Sequence, residues 1–265
     1  MAAVDPVRLR FQIDALIASF TDPPVFHRGL IDLFNQYANR TLRFGESPKA
    51  LPLIPMYHLP APVMRQLELD LKPVIQADPE SALAVADELW QDEYYEVRQV
   101  SILLLSNLPL EAPTPIIDRL EQWLEPGLDG ILVSELLSRC TTSLQSTFPE
   151  AWENFISSLF EKENLKMTAM GLKVLNQSVN TPAFENMPAV IRLISPSIRE
   201  PQPAFEKDLR SLLTTLIEKT PSETAYFLQQ AASISGSPNL RRLIKQCLAH
   251  FPEDLQSALK TILRN

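Results

Sequence analysis

The groups in this 265-residue chain able to act as nucleophiles, metal ligands or acid–base catalysts include two cysteines, three histidines and 32 carboxylates. Cys140 and Cys247 have no CxxC partner, and His27, His58 and His250 are scattered, so no metal-ligand spacing can be written. No H-E-x-x-H, Ser–His–Asp or Cys–His arrangement occurs either. With 6 Gly and neither G-x-x-x-x-G-K nor G-x-G-x-x-G, the chain lacks the loops that usually cradle nucleotide phosphates. No metal and no cofactor is therefore expected. Each cysteine sits among leucines, Leu136 and Leu137 for one and Leu243 and Leu248 for the other, which reads as a buried thiol in a reducing compartment. Carboxylate pairs abound in so acidic a chain, so their spacing singles none out.

The elements that position these groups read as helices throughout. Ile13, Leu16, Ile17 and Phe20 share one face, as do Leu83, Ala86, Leu89 and Trp90, and Leu209, Leu212, Leu213 and Leu216. Trp123 and Trp152 fall on similar apolar faces and read as core. The run Ile102–Leu105 continues a helical period rather than forming a strand. Pro79, Pro115, Pro149, Pro182, Pro221 and Pro252 are then 36, 34, 33, 39 and 31 residues apart. Proline suits the first turn of a helix, where its missing N–H would be unpaired anyway, and several of these are followed by an acid that favours the helix dipole. Each proline therefore marks a helix start, and each interval holds two helices, the unit of a helical-hairpin solenoid.

This predicts an all-α α-solenoid of HEAT-like hairpins. Proline-started helices are expected at roughly 79–92, 112–125, 148–161, 182–199, 220–234 and 252–265, and alternate helices at roughly 93–108, 127–144, 163–180, 202–219 and 237–250. Residues 1–59 form an N-terminal cap, with helices near 6–20 and 24–39 and a Pro-rich connection at 41–59, and residues 60–265 the repeat array, one continuous domain overall. Met1–Phe20 carries Asp5 and Asp14, and nowhere do about 18 apolar residues run together, so neither an export signal nor a membrane span is expected and the location is read as cytoplasmic.

A formal charge of −8 repels a phosphate polymer, yet the charge is sorted. The proline-started helices hold 5 basic and 14 acidic residues, and the alternate helices hold 10 and 8. The two helices of a hairpin line opposite walls, so one wall is acidic and the other slightly basic. Arg98, Arg139, Lys173, Lys207, Arg210, Arg241, Arg242 and Lys245 are the candidate groove-binding residues, the last three forming the least neutralised cluster.

The segment Ala84–Leu105, with Leu89-Trp90 followed by Glu96-Val97-Arg98, resembles the L-W-x-S-x-x-x-E-x-R-x-x-A signature of the DNA alkylation repair (AlkD-type) proteins. Weaker likenesses lie at Tyr37–Thr41, Pro60–Arg65 and Pro221–Leu228, and together they span residues 35–265. The residues also have a purely structural account: Trp90 fills the gap between paired helices, Glu96 sits in a first turn, and Arg98 reaches a neighbouring carboxylate. The resemblance implies a HEAT-like solenoid whose active members are DNA glycosylases that excise alkylated purines. It also implies an N-W-D-x-V-D-like segment carrying a catalytic aromatic and Asp. The nearest match, Asp129–Glu135, places Gly130 at the aromatic and Ser134 at the carboxylate. A K-A-x-x-W-x-L-R-E-like helix matches Lys207–Thr215 with Ser211 at the second aromatic and Thr214 at the Arg. Glu135 lies one step past Ser134, which on a helix turns it about 100° away.

No catalytic residue is thus expected. The chain reads as a binding or scaffold protein whose concave face holds a protein or duplex DNA. The alternative is an active glycosylase. The first reading requires that no tryptophan or tyrosine stand beside an acid at the centre of that face.

Overall fold

The computed structural model describes residues 4–39 and 52–264 apart from 126, 162, 163, 182, 183 and 185. The chain divides into two compact units, Met1–Thr147 and Phe148–Asn265. The first contains α1 (Pro6–Ile17), α2 (Pro23–Tyr37), α3 (Ala61–Ala77), α4 (Pro79–Trp90), α5 (Tyr95–Ser106), α6 (Thr114–Trp123) and α7 (Gly130–Thr147). The second contains α8 (Pro149–Glu161), α9 (Leu165–Asn180), α10 (Met187–Arg199), α11 (Glu206–Lys219), α12 (Pro221–Ile234), α13 (Pro238–Cys247) and α14 (Glu253–Arg264), with a 3-10 turn at Leu248–His250. No strand occurs among the described residues.

Helix starts follow local chemistry. Pro79, Pro149 and Pro221 open α4, α8 and α12, Pro115 is the second residue of α6, and Pro252 directly precedes α14. Asp5, Asp22, Asp78, Asn164 and Asn186 accept first-turn amides of α1, α2, α4, α9 and α10, satisfying donors that the helix itself cannot pair. Pro182 lies outside the described residues; the helix expected from it starts instead at Met187, where the Asn186 cap and Pro188 supply the start signal. Helix α3, absent from the sequence expectation, buries Val63, Leu67, Leu71 and Ile75 and carries Pro73 within it.

Each unit is built in two layers. In the first, α1, α3, α5 and α7 pack in succession and α2 packs on α4, with α6 joined to α4 by Arg119 and Asp87 at 2.7 Å. In the second, α9, α11 and α13 form one layer and α8, α10, α12 and α14 the other. The repeat is visible in the hydrogen bonds. Gln99 bonds Glu135 (36 residues on), Asn176 bonds Ser211 (35), Arg242 bonds Glu206 (36) and Ser235 bonds the Arg199 carbonyl (36). These intervals match the proline spacing because equivalent positions of successive hairpins lie side by side. Ile102–Leu105 is buried on every side because α5 is surrounded by α3, α4 and α7.

Glu96 organises the approach to α5. It is buried, and its carboxylate accepts the amides of Tyr57 at 2.9 Å and Leu59 at 3.4 Å, while the Tyr95 amide donates to the Pro55 carbonyl at 2.9 Å. Tyr57 stacks on Tyr94 at 4.4 Å, and between the two pinned amides His58 takes φ +54. Burial, reinforced by Asp92, pushes the Tyr57 hydroxyl up to about 12. Of the Pro-rich connection, residues 41–51 lie outside the described residues.

Candidate nucleic-acid interface

The charge expected on one wall is concentrated in the α9–α11–α13 layer of the second unit. Lys166, Lys173, Lys207, Arg210, Lys219, Arg241, Arg242 and Lys245 stand there against Glu206, Asp208 and Glu218. Two of the cations are engaged: Arg242 bonds Glu206 at 2.5 Å, and Lys219 donates to the Val179 carbonyl. Lys173, Arg210 and Lys245 are exposed and have no ion-pair partner among the described residues. The Asn176–Ser211 bond between α9 and α11, and the Arg242–Glu206 bond between α13 and α11, set the helix register. Lys173, Arg210 and Lys245 stand in turn on the three successive helices of this layer. Packed helices lie about 8–10 Å apart, so this row of helices spans about 20 Å. Its lining is polar: Asn176 also accepts from the Thr215 hydroxyl at 2.8 Å. Lys207 and Lys245 are exposed, and Arg241 is half-buried.

In the first unit the corresponding layer holds a different cluster. Glu135 on α7 accepts the Tyr95 hydroxyl at 2.9 Å and the Gln99 amide at 2.9 Å, and the Arg139 guanidinium stands 3.7 Å away. Arg139 also reaches across α5 to Glu68 on α3 at 3.2 Å. Burial first, then the adjacent Glu135 charge, pushes the Tyr95 hydroxyl well above its ordinary range, so it stays a donor. This is a tyrosine beside an acid, the kind of pairing that the sequence reading set against a non-catalytic protein, but here the acid also faces the Arg139 guanidinium and lies in the first unit, apart from the α9–α11–α13 layer. Arg139 is therefore committed to two carboxylates rather than left open. Arg98 is directed elsewhere. Its Nε donates to the Asp92 carbonyl at 2.6 Å and its guanidinium lies 5.3 Å from the Trp90 ring, so it meets a carbonyl and an indole where a carboxylate was expected. Trp90 fills its gap by stacking on Trp123 at 4.4 Å.

A family model described as DNA alkylation repair enzyme matches residues 51–232. The chain belongs to that family. A comparison with curated proteins returned no match. Gly130 opens α7, and a Cβ built there meets nothing within 4 Å, so packing does not demand glycine at this position. Ser134 is exposed. Ser211 accepts from Asn176, and Thr214 bonds back to the Arg210 carbonyl at 3.0 Å, so both hydroxyls serve the helix wall. Among the described residues no cluster of His, Cys, Asp and Glu could hold a metal, and no helix is long and apolar enough to cross a membrane. Cys140 and Cys247 are buried and free, and burial pushes the Cys247 thiol up to about 11.

Two features escaped the sequence reading. Glu135 belongs to a network whose partners lie 36 and 40 residues earlier, a distance visible only once the repeat offset is applied. The setting of Arg98, between the Asp92 carbonyl and the Trp90 ring, depends on contacts of the α4–α5 turn that its position in the sequence does not reveal.

Proposed function

We propose that this chain is a DNA-binding member of the DNA alkylation repair family that holds duplex backbone on the α9–α11–α13 layer and does not itself excise bases. The observation that carries the reading is the row Lys173, Arg210 and Lys245, exposed and unneutralised in an otherwise acidic chain. Such cations displace condensed counterions from phosphates, and each contact contributes about −0.9 to the slope of log affinity against log salt. The absence of excision is supported by the Gly130 and Ser134 positions and by the Glu135 setting. A cationic departing sugar needs a net negative neighbour, and Arg139 offsets much of that charge.

The test is a salt titration of duplex binding for the wild type and for a variant combining Lys173→Ala, Arg210→Ala and Lys245→Ala. The slope is expected to shrink by about 2.7 in the variant. An unchanged slope would remove the reading. Excision is measured on alkylated duplex in parallel, and robust release of methylated purines would end the non-catalytic half of it.

The second reading, an active glycosylase, is favoured by one observation, the Tyr95–Glu135 pair. It expects Glu135→Gln to abolish base release while the helical circular dichroism signal is kept.

A further inference from the structure

A cavity of about 380 Å³ lies at the turn edge of the first unit, lined by Trp90, Gln91, Arg98, Gln122, Trp123, Glu125, Gly127 and Leu128. It involves neither the Lys173 row nor the Glu135 cluster. Its volume falls in the range of small-molecule sites rather than of a duplex groove. Among the described residues of this lining Arg98 is the one cation and Glu125 the one acid. The Arg98 Nε is fixed by the Asp92 carbonyl, and its plane is set against Trp90, but its two terminal nitrogens have no protein acceptor among the described residues. A guanidinium oriented in this way offers two parallel N–H donors, the geometry that fits a phosphate. The stacked indoles already use faces against each other and against Arg98, so they add apolar edges, joined by Leu128. Gln91 and Gln122 are exposed amides, each able to donate and accept, as recognition of a base edge requires. Gly127 keeps the wall open. It has φ +122, and a Cβ there would meet nothing within 4 Å.

We propose that this cavity binds a free molecule of nucleotide size through its phosphate, with the phosphate on Arg98, the base between the glutamine amides and the indole edges, and Glu125 facing the sugar hydroxyls. It is a site separate from any that the familiar Gly-rich loops would supply.

The chain carries three tryptophans, and two of them line this cavity. Trp152, in the second unit, is an internal control. Adenosine 5′-monophosphate titrated into the full chain is expected to shift the indole N–H resonances of Trp90 and Trp123 and leave that of Trp152 in place, with adenosine at least about tenfold weaker for lack of the charge. Arg98→Gln is expected to weaken binding at least about tenfold. Because Arg98 also supports Trp90, a second variant, Gln122→Glu, sets a negative charge at an exposed lining position and is expected to weaken the nucleotide similarly without touching the core. The proposal is overturned by no shift at about 10 mM nucleotide, by equal affinity for adenosine, or by indifference to both variants. A response to a 5′-phosphorylated hexanucleotide with none to the free nucleotide also overturns it, since that assigns the cavity to DNA ends.

Discussion

Replacing Glu96 tests whether the signature glutamate of the Leu-Trp to Glu-x-Arg segment is a structural group. Its carboxylate is buried at 3% exposure and receives two backbone amides, from Tyr57 at 2.9 Å and Leu59 at 3.4 Å. Hydrogen bonds to charged groups contribute roughly 1.5–3 kcal/mol, with the longer one at the low end or below. Glu96→Ala leaves both amides without an acceptor and releases the segment that carries Tyr57 onto Tyr94. A loss of about 3–5 kcal/mol is expected, a large part of the roughly 5–15 kcal/mol that stabilises a typical domain. Glu96→Gln keeps one acceptor oxygen and is expected to lose about half as much. Urea denaturation followed by tryptophan emission measures both, because Trp90 and Trp123 lie in the same unit. Amide exchange at Tyr57 should accelerate in step. Duplex binding through the Lys173 row should persist at temperatures where the variant stays folded. A loss below about 1 kcal/mol, or DNA binding abolished in a folded variant, would refute the structural assignment.

Gly171→Ala sets a Cβ 2.8 Å from the Phe160 ring, so overpacking of about 1–3 kcal/mol should outweigh the roughly 1 kcal/mol of helix propensity gained, read as a lower urea midpoint. Gly29→Ala meets only the Leu16 Cδ1 end at 2.9 Å, which can turn away, and is expected to be neutral or slightly stabilising by the same assay. Cys247 has its thiol raised from 9.0 to about 11 by burial, so the unfolded chain loses that proton first as pH rises. Its contribution is complete below pH 9 and lost progressively between about 9 and 11, about 3 kcal/mol in all, and Cys247→Ala should flatten that part of the stability profile.

The helical repeat was legible because two independent signals agree: the apolar period within helices and the proline period between them. Helix α3 was not. It starts directly after the Pro-rich connection and carries Pro62 and Pro73, while the stripe Val63, Leu67, Leu71 and Ile75 is the signal that decides it. Pro60 and Pro62 sit at the cap and first turn, where they are harmless, and Pro73 is accommodated near the far end. The start of α10 was displaced because an Asn cap with a following proline is as good a signal as the proline five residues earlier. Basic residues in α9, α11 and α13 could be assigned to one layer from their helices alone. Which of them are left without an ion-pair partner needed the contacts between helices, and the setting of Arg98 needed the indole stack. Glu135 was dismissed by its distance from Ser134 along one helix, although Tyr95 and Gln99 on the helix next door decide its setting.

The recurring interval of 35–40 residues between bonded positions of successive helices in the second unit has an evolutionary corollary. Duplicating a whole hairpin in frame would add one more cation at the same pitch, and deleting one would remove a single step, without re-aiming the others. The reach of such a surface along a polyanion is thus written in the gene as copy number, adjustable by recombination rather than by point substitution.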